Sequence, residues 1–110
     1  MALRDGRPAL VFGTMGGDAQ VQIHLQLLAR VLVAGESVAD AVAAPRWTFD
    51  RSTVLVEHGL PALEPLPRGL GSLPMPVADL AGHAHAIRIL PDGALDAGCD
   101  PRADGMPVGD

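Results

Sequence analysis

The residues best suited to chemistry are three glycines within five positions, Gly13, Gly16 and Gly17, at the start of the long apolar stretch GTMGGDAQVQIHLQLLARVL. Glycine adopts positive φ angles easily, so a glycine turn between a strand and a helix can gather backbone N–H groups around one point. The helix macrodipole adds about half a positive charge there. The spacing is therefore compatible with a turn that binds an anion or a developing oxyanion near Gly16 and Gly17.

Other anion-binding motifs do not fit this turn. The Lys-Ser/Thr pair of a phosphate-binding loop is absent, and so are the later glycine and acidic ribose ligand of a dinucleotide fingerprint. Asp18 would compete with a strongly anionic ligand for the same donors, whereas a transient oxyanion is compatible with it. The structural alternative is a turn whose glycines serve only tight geometry or close packing.

Two elements must position this turn. Pro8 to Phe12 is a short apolar run between glycines, which favours a buried strand that Gly13 would end. From Asp18, a predicted N-cap, apolar residues recur at helical spacing, which predicts a mostly buried helix over Gln20 to Ala34. His24, on this helix, is predicted to be a hydrogen-bonded core histidine.

The following segment indicates a second helix and two strands. Gly35 ends the first helix, and Ser37 caps a helix over Val38 to Ala43 that must stop before Pro45. The stretches RWTF and TVLVE read as extended. Trp47, the only tryptophan, is predicted to pack beside Pro45.

The remaining half is predicted to hold a connector, a hairpin and a tail. Gly59 to Pro76 contains five prolines, so at most one helical turn is expected, around Ala62 to Leu66. The stretch HAHAIRILPDGALDAG predicts a β-hairpin that turns at PDG. The order of elements predicts an α+β fold with few strands in a single domain, residues 1–110.

Polar side chains elsewhere suggest structure more than catalysis. His83 and His85 should share one face of a strand that Cys99 could approach, but no fourth ligand follows at zinc-site spacing, so neither a metal site nor any other cofactor is predicted. The segment Asp100 to Arg102 is expected to fix a turn through an internal ion pair.

Composition narrows the classes of function. The net charge is −5 and the eight cationic residues, all arginine, are scattered, so nucleic acid is not an expected partner. A single cysteine excludes an internal disulfide, and no secretory signal or membrane span is recognised. A cytoplasmic location is expected for the chain as written. Its 48% hydrophobic content is high for so small a domain and suggests an external cover for part of the surface.

Several stretches, taken in order, resemble the C-terminal part of the small subunit of the γ-glutamyltransferase family, including its acylase-like bacterial branch. They are DGRPALVFGTMGGDAQVQIHLQLLARVL, ADAVAAPRW, VLVE, GHAHAIRI, DGALDAG and DPRADG. The resemblance implies part of the four-layer αββα sandwich of N-terminal nucleophile hydrolases and γ-glutamyl amide transfer or hydrolysis, as in glutathione metabolism. It also implies that Gly16 and Gly17 form the oxyanion hole. Thr14 and Met15 stand where many members carry Ser-Pro, and relatives are often periplasmic or secreted.

The resemblance also implies what this chain lacks. The family's nucleophilic threonine, its ligands for the substrate α-amino group and its Ser-Ser-Met-x-Pro-Thr stretch are expected upstream of the part that matches from Met1 onward. The chain alone is therefore expected to be inactive, and to self-associate, misfold or bind a complementary chain. A γ-glutamyl or acyl-amide substrate is expected only with that complement. The alternative function is a non-catalytic remnant or interaction module.

Overall fold

The computed structural model describes residues 1–61 and 65–109 and contains two β-sheets. The larger sheet has the order β1-β2-β6-β7 and is antiparallel throughout. Its strands are β1 (Ala2–Arg4), β2 (Arg7–Met15), β6 (His83–Ile89) and β7 (Leu95–Cys99). The smaller sheet has the order β3-β4-β5, with β3 (Trp47–Asp50), β4 (Thr53–Val56) and β5 (Gly71–Pro74).

Two helices pack on one face of the larger sheet. Helix α1 (Gln20–Leu28) continues as a π-helical segment, Ala29–Ala34, and α2 is Val38–Ala43. Alternate strand residues point into this layer, and the core they build with the helices consists of Leu10, Ala84, Ala86, Ile23, Leu27, Val31, Val38, Ala41 and Val42. Gly98 of β7 explains how close α2 lies, because a Cβ there would be 2.9 Å from the carbonyl oxygen of Val38.

The opposite face of the larger sheet is apolar and open. Val11 on β2, Ile87 on β6 and Leu95 on β7 are 45%, 42% and 65% exposed. These residues alternate with the buried set, as the two-residue repeat of a strand requires. The sheet therefore carries an apolar surface on both sides, of which the described residues cover one with helices.

Several predicted elements are confirmed. Helix α2 has the predicted bounds, and the Ser37 hydroxyl oxygen caps it by accepting from the Asp40 N–H at 3.1 Å. The hairpin β6–β7 turns where PDG was expected, with Gly93 at a φ of 87°. The strand predicted from Pro8 is β2.

Three predictions around β2 and α1 are wrong. Gly13 does not end β2, because it pairs with His85 and the strand runs on to Met15. Asp18 does not cap α1, because it lies inside a 3₁₀ turn, Gly17–Ala19, and the N-cap position belongs to Ala19. The helix is also less buried than expected, because only one of its sides meets the larger sheet.

The exposure of the helix shows how narrow that contact is. Ile23, Leu27 and Val31 are the buried residues of α1 and its π-helical continuation. Val21 and Leu25 are 78% and 61% exposed.

The connector contains a strand that the sequence did not indicate. Strand β5 pairs in parallel with β4, which places Leu73 opposite Leu55. All four of its residues are exposed, and a proline is tolerated there because the strand lies at a sheet edge. The helical turn predicted around Ala62 to Leu66 lies partly outside the described residues. No helix among the residues described is long and apolar enough to cross a membrane.

Two glutamine side chains join α1 to the smaller sheet. The Gln22 amide accepts from the Phe49 N–H at 2.6 Å and donates to the Phe49 carbonyl at 3.0 Å. The Gln26 amide makes the same pair of bonds with Trp47, at 3.0 and 2.8 Å. These side chains therefore complete the free edge of β3 as a neighbouring strand would.

We predict that Gln26→Ala lowers the free energy of unfolding by about 1 to 3 kcal/mol, because it leaves a partly buried N–H and C=O of β3 without partners. Urea unfolding measures the difference. Gln20→Ala on the exposed first turn of α1 is the matched control and should change stability by less than about 0.5 kcal/mol. Equal losses in the two variants would contradict a role for the amide pair.

Candidate functional site

The glycine turn lies where β2 leaves the larger sheet. Met15, the last residue of β2, pairs with His83 at the start of β6. Gly16 follows with a φ of −174° and a ψ of 14°, which is neither strand nor helix geometry, and Gly17 has a φ of 51° in the left-handed region that favours glycine. The 3₁₀ turn Gly17–Ala19 then leads into α1. The predicted passage from strand to glycine turn to helix is therefore present.

The hydrogen bonds of the turn use its carbonyl groups. The Gly16 carbonyl accepts from the Ala19 N–H at 2.9 Å, and the Gly17 carbonyl accepts from the Gln20 N–H. Within residues 1–61 and 65–109, neither the N–H of Gly16 nor that of Gly17 donates to a protein acceptor. Two adjacent backbone donors thus have no acceptor among the described residues.

Close packing fixes this part of the backbone. A Cβ on Gly16 would lie 2.7 Å from Cδ1 of the fully buried Ile23 and 3.7 Å from the Cα of Gly82. Gly82 has a φ of 67°, and a Cβ there would collide with the carbonyl oxygen of Met15. Sequence analysis missed Gly82, for which the only signal was a glycine directly before the predicted strand.

A buried ion-pair cluster supports Gly82 from the other side. Arg46 is 3% exposed, and its guanidinium donates to the carbonyl oxygens of Ala81 and Gly82 at 2.9 and 3.2 Å. The same guanidinium lies 2.7 Å from the carboxylate of Asp100, which is 1% exposed. Contacts therefore run from Asp100 through Arg46 and Gly82 to Gly16.

Asp100 is the centre of this cluster. Its carboxylate also accepts from the backbone N–H groups of Ala84 and Arg102 at 2.8 and 3.0 Å, and from the Arg102 side chain at 2.9 Å. Arg102 in turn pairs with Glu57. The predicted internal ion pair of Asp100 and Arg102 is confirmed, and its connection to Arg46 was not foreseen.

The cluster shifts the pKa values of its members. Burial alone would raise the pKa of Asp100, but the hydrogen bonds from Ala84, Arg102 and Arg46 outweigh it and hold that pKa below its usual value. Burial lowers the pKa of Arg46 despite the neighbouring Asp100. Burial alone would lower the pKa of Arg102, but its hydrogen bonds to Glu57 and Asp100 and their negative charges outweigh burial and raise that pKa.

The histidines occupy less organised surroundings. His83 and His85 lie on the same open face of β6, as predicted, and His85 pairs in register with Cys99. His83 Nε2 is 3.5 Å from a carboxylate oxygen of Asp79. In the described part of the chain, no three His, Cys, Asp or Glu side chains gather as metal ligands would.

The prediction for His24 is only partly right. It is half-buried and packs edge-on against Phe12 with 5.0 Å between ring centroids, but its Nε2 has no hydrogen-bond partner among the residues that the structure describes. Burial, and to a lesser extent the charge of the N-terminus, lower the pKa of His24. Trp47 is half-buried and lines an open apolar groove.

Comparison with known sequences gives a consistent set of relatives. The sequence model of the gamma-glutamyltranspeptidase family matches residues 1–109 of this chain. The chain is 32% identical over 120 residues to the glutathione hydrolase-like YwrD proenzyme of Bacillus subtilis strain 168, covering 99% of this chain and 23% of that protein. It is 35% identical over 117 residues to the oxamate amidohydrolase proenzyme of Klebsiella pneumoniae, covering 97% and 22%. The chain thus spans about a fifth of the length of these relatives.

Solved structures show the same relationship. The cephalosporin acylase of Bacillus halodurans superposes with a TM-score of 0.85 at 30% identity, covering 94% of this chain and 20% of that one. The gamma-glutamyltranspeptidase of Pseudomonas nitroreducens, complexed with L-DON, gives 0.78 at 25%, covering 98% and 58%. The predicted α+β fold, part of an αββα sandwich of the N-terminal nucleophile hydrolase type, is confirmed.

We predict that Asp100→Asn destabilises the protein by about 3 to 5 kcal/mol, because it leaves two buried or half-buried guanidinium groups without their shared charge. Urea unfolding at neutral pH measures this loss. Asp104→Asn is the matched control, since Asp104 is exposed and makes no ion pair among the described residues.

The pH dependence of this loss of stability shows whether the negative charge of Asp100 causes it, because Asn has nearly the same shape and no charge. A carboxyl group whose folded pKa is depressed stabilises the protein above its unfolded pKa of about 4, and this contribution disappears as the pH falls through the folded value. The stability difference between the unaltered chain and its Asp100→Asn variant should therefore be constant above about pH 5 and shrink below about pH 4. A difference independent of pH would contradict the charge explanation.

Proposed function

Because this chain belongs to the gamma-glutamyltranspeptidase family, we propose that it supplies the oxyanion-binding turn of an N-terminal nucleophile hydrolase acting on γ-glutamyl or related acyl amides. The observation that carries this proposal is the pair of N–H groups of Gly16 and Gly17, which have no acceptor within the described part of the chain. Gly17 is exposed and Gly16 is half-buried, so these N–H groups are accessible to an acceptor from outside the chain.

The reaction requires a nucleophile that attacks the substrate carbonyl carbon and hydrogen-bond donors that bind its carbonyl oxygen. A hydroxyl nucleophile gives its proton to a base as it adds to the carbonyl carbon, and the carbonyl oxygen becomes negatively charged in the tetrahedral intermediate. The two N–H groups stabilise that oxygen. When the intermediate collapses, the C–N bond breaks, the leaving nitrogen takes up the proton held by the base and departs as the amine, and an ester remains on the nucleophile. In this proposal the nucleophile is the N-terminal threonine of the family, and it belongs to a part of the enzyme outside this chain.

A complementary part of the protein is also favoured by the open face of the larger sheet. Val11, Ile87 and Leu95 on that face are all more than a third exposed. Exposed apolar patches of this kind commonly mark interfaces. We therefore propose that the chain works with the remaining part of a longer enzyme or with a separate complementary chain, and that without it copies of the chain associate.

The purified chain alone should release no chromogenic amine from a γ-glutamyl anilide, because it contributes donors and no attacking group. The assay is spectrophotometric, and a mixture with the complementary part is the positive control. Clear turnover by the chain alone that disappears in a Gly16→Pro variant would contradict the proposal.

In the assembled enzyme, removal of the Gly17 N–H should reduce kcat about 100- to 1,000-fold. A chemically synthesised chain with glycolic acid in place of Gly17 removes that N–H and leaves the backbone free to keep its φ of 51°. The same replacement at the exposed Gly109 is the matched control. Unchanged kcat in an assembled, active enzyme would exclude an oxyanion role for Gly17, and a complex inactive with either chain would favour a non-catalytic module.

A further inference from the structure

Two arginines of the β1–β2 hairpin carry positive charges that no carboxylate of the described residues neutralises. Arg4 ends β1 and Arg7 begins β2, and the two residues pair directly across the turn formed by Asp5 and Gly6. Both side chains are exposed, and neither lies within 4.0 Å of a carboxylate oxygen in the described part of the chain. Like charges directly opposite each other destabilise an antiparallel pair. A bound anion would remove this repulsion.

The arginines elsewhere in the chain are placed differently. Carboxylate oxygens lie within 4.0 Å of the guanidinium groups of Arg30, Arg46, Arg51, Arg88 and Arg102. Acidic residues also outnumber basic ones in the chain, by 13 to 8. The unpaired charges of Arg4 and Arg7 are therefore a local feature of this hairpin and do not reflect a shortage of carboxylates.

A cavity of about 560 Å³ lies between this hairpin turn and the β6–β7 turn. Arg4 and Arg7 line it, together with Asp5, which is its one acidic lining residue among those described. Two positive charges thus face one negative charge in the lining. The remaining lining residues are apolar or glycine, namely Pro8, Ala9, Ile89, Leu90, Pro91 and Gly93. The cavity therefore combines a cationic side with an apolar side.

A smaller cavity of about 140 Å³ adjoins the first one, since Arg4 and Leu90 line both. Arg88 of β6 lines this smaller cavity. Its Nη2 pairs with the carboxylate of Asp96, but its Nε is buried and has no acceptor among the described residues. Buried donors are almost always paired in proteins, so this N–H favours an acceptor from outside the described residues. Arg88 thus adds a third guanidinium group, with an unpaired donor, to the same region.

We propose that these adjoining cavities bind a small organic phosphate, with its phosphate group at Arg4 and Arg7 and its carbon skeleton against Ile89 and Leu90. Guanidinium groups bind phosphate oxygens through paired, charge-assisted hydrogen bonds. The apolar side of the cavity favours a ligand that also has carbon atoms to bury. A nucleic-acid strand is disfavoured, because the chain carries a net charge of −5. A dicarboxylate has similar charge and is the competing ligand in the test.

The phosphate site is separate from the glycine turn. Strand β2 begins at Arg7 and ends at Met15, so the two sites lie at opposite ends of one strand. At about 3.4 Å per residue, this strand separates them by about 27 Å. The inference therefore does not rest on the proposed function, and binding can be measured on this chain without a complementary part.

Calorimetric titration of the purified chain with phenyl phosphate, at constant ionic strength in sodium chloride, measures the binding. We expect one saturable site that binds phenyl phosphate more tightly than inorganic phosphate or succinate, because phenyl phosphate alone offers both a phosphate and an apolar group. Arg4→Gln and Arg7→Gln should each raise the Kd about ten-fold. Both residues are exposed, so each variant should keep the urea unfolding midpoint of the unaltered chain.

Arg51→Gln is the matched control. It removes the same charge from a side chain that is 93% exposed and lies between β3 and β4, so the Kd should stay unchanged. Three outcomes would overturn the phosphate site: no saturable binding of phenyl phosphate, equal weakening by Arg51→Gln and Arg4→Gln, or tighter binding of succinate. Saturable binding that Arg4→Gln and Arg7→Gln weaken and Arg51→Gln does not supports the site, whether or not the assembled enzyme hydrolyses a γ-glutamyl anilide.

Discussion

The architecture depends on a single buried negative charge. The carboxylate of Asp100 receives hydrogen bonds from the first residues of β6, from its own turn and from Arg102, and it pairs with Arg46 just after α2. Removing a carboxylate from water is costly, and only this complete set of donors outweighs the cost. The cluster therefore joins the end of α2 to the start of β6 and the end of β7, a hairpin that follows much later in the sequence.

The glycine turn lies next to this cluster although it contains no charged contact itself. Arg46 binds the carbonyl oxygens of Ala81 and Gly82, and a Cβ on Gly16 would lie 3.7 Å from the Cα of Gly82. Preorganised donors stabilise an oxyanion well because they need not reorient during the reaction. In the proposed function, the N–H groups of Gly16 and Gly17 are such donors, because they have no acceptor among the described residues.

Elements with local signals could be predicted from the sequence. Ser37 three residues before Asp40 defines the start of α2, and the PDG turn with alternating apolar residues defines the β6–β7 hairpin. The glycine turn was also recognisable, because its spacing and its neighbours identify it. The partners of each element could not be predicted. Strand β5 exists through its pairing with β4, and the exposure of Leu25 depends on which side of α1 meets the sheet.

The same distinction applies to the candidate site. That Gly16 and Gly17 are special follows from residue type, whereas the freedom of their N–H groups depends on the path of β2 and on the 3₁₀ turn. The link between Arg46 and Asp100 joins residues separated by most of the second half of the chain. Only tertiary structure brings these two residues together. The sequence therefore predicts the local ion pair of Asp100 and Arg102 but not the pairing of Asp100 with Arg46.

The side-chain amides of Gln22 and Gln26 connect two structural repeats of nearly equal length, the turn of α1 and the two-residue repeat of β3. Four residues of α-helix advance about 6 Å and two residues of strand about 6.8 Å, so two side chains one helical turn apart can meet alternate residues of β3. The match is close enough for two contacts and would fail over a longer stretch, since the mismatch accumulates. The helix thereby sets the register of the smaller sheet, and an inserted or deleted residue in β3 would turn its groove-facing aromatic side chains to the other surface.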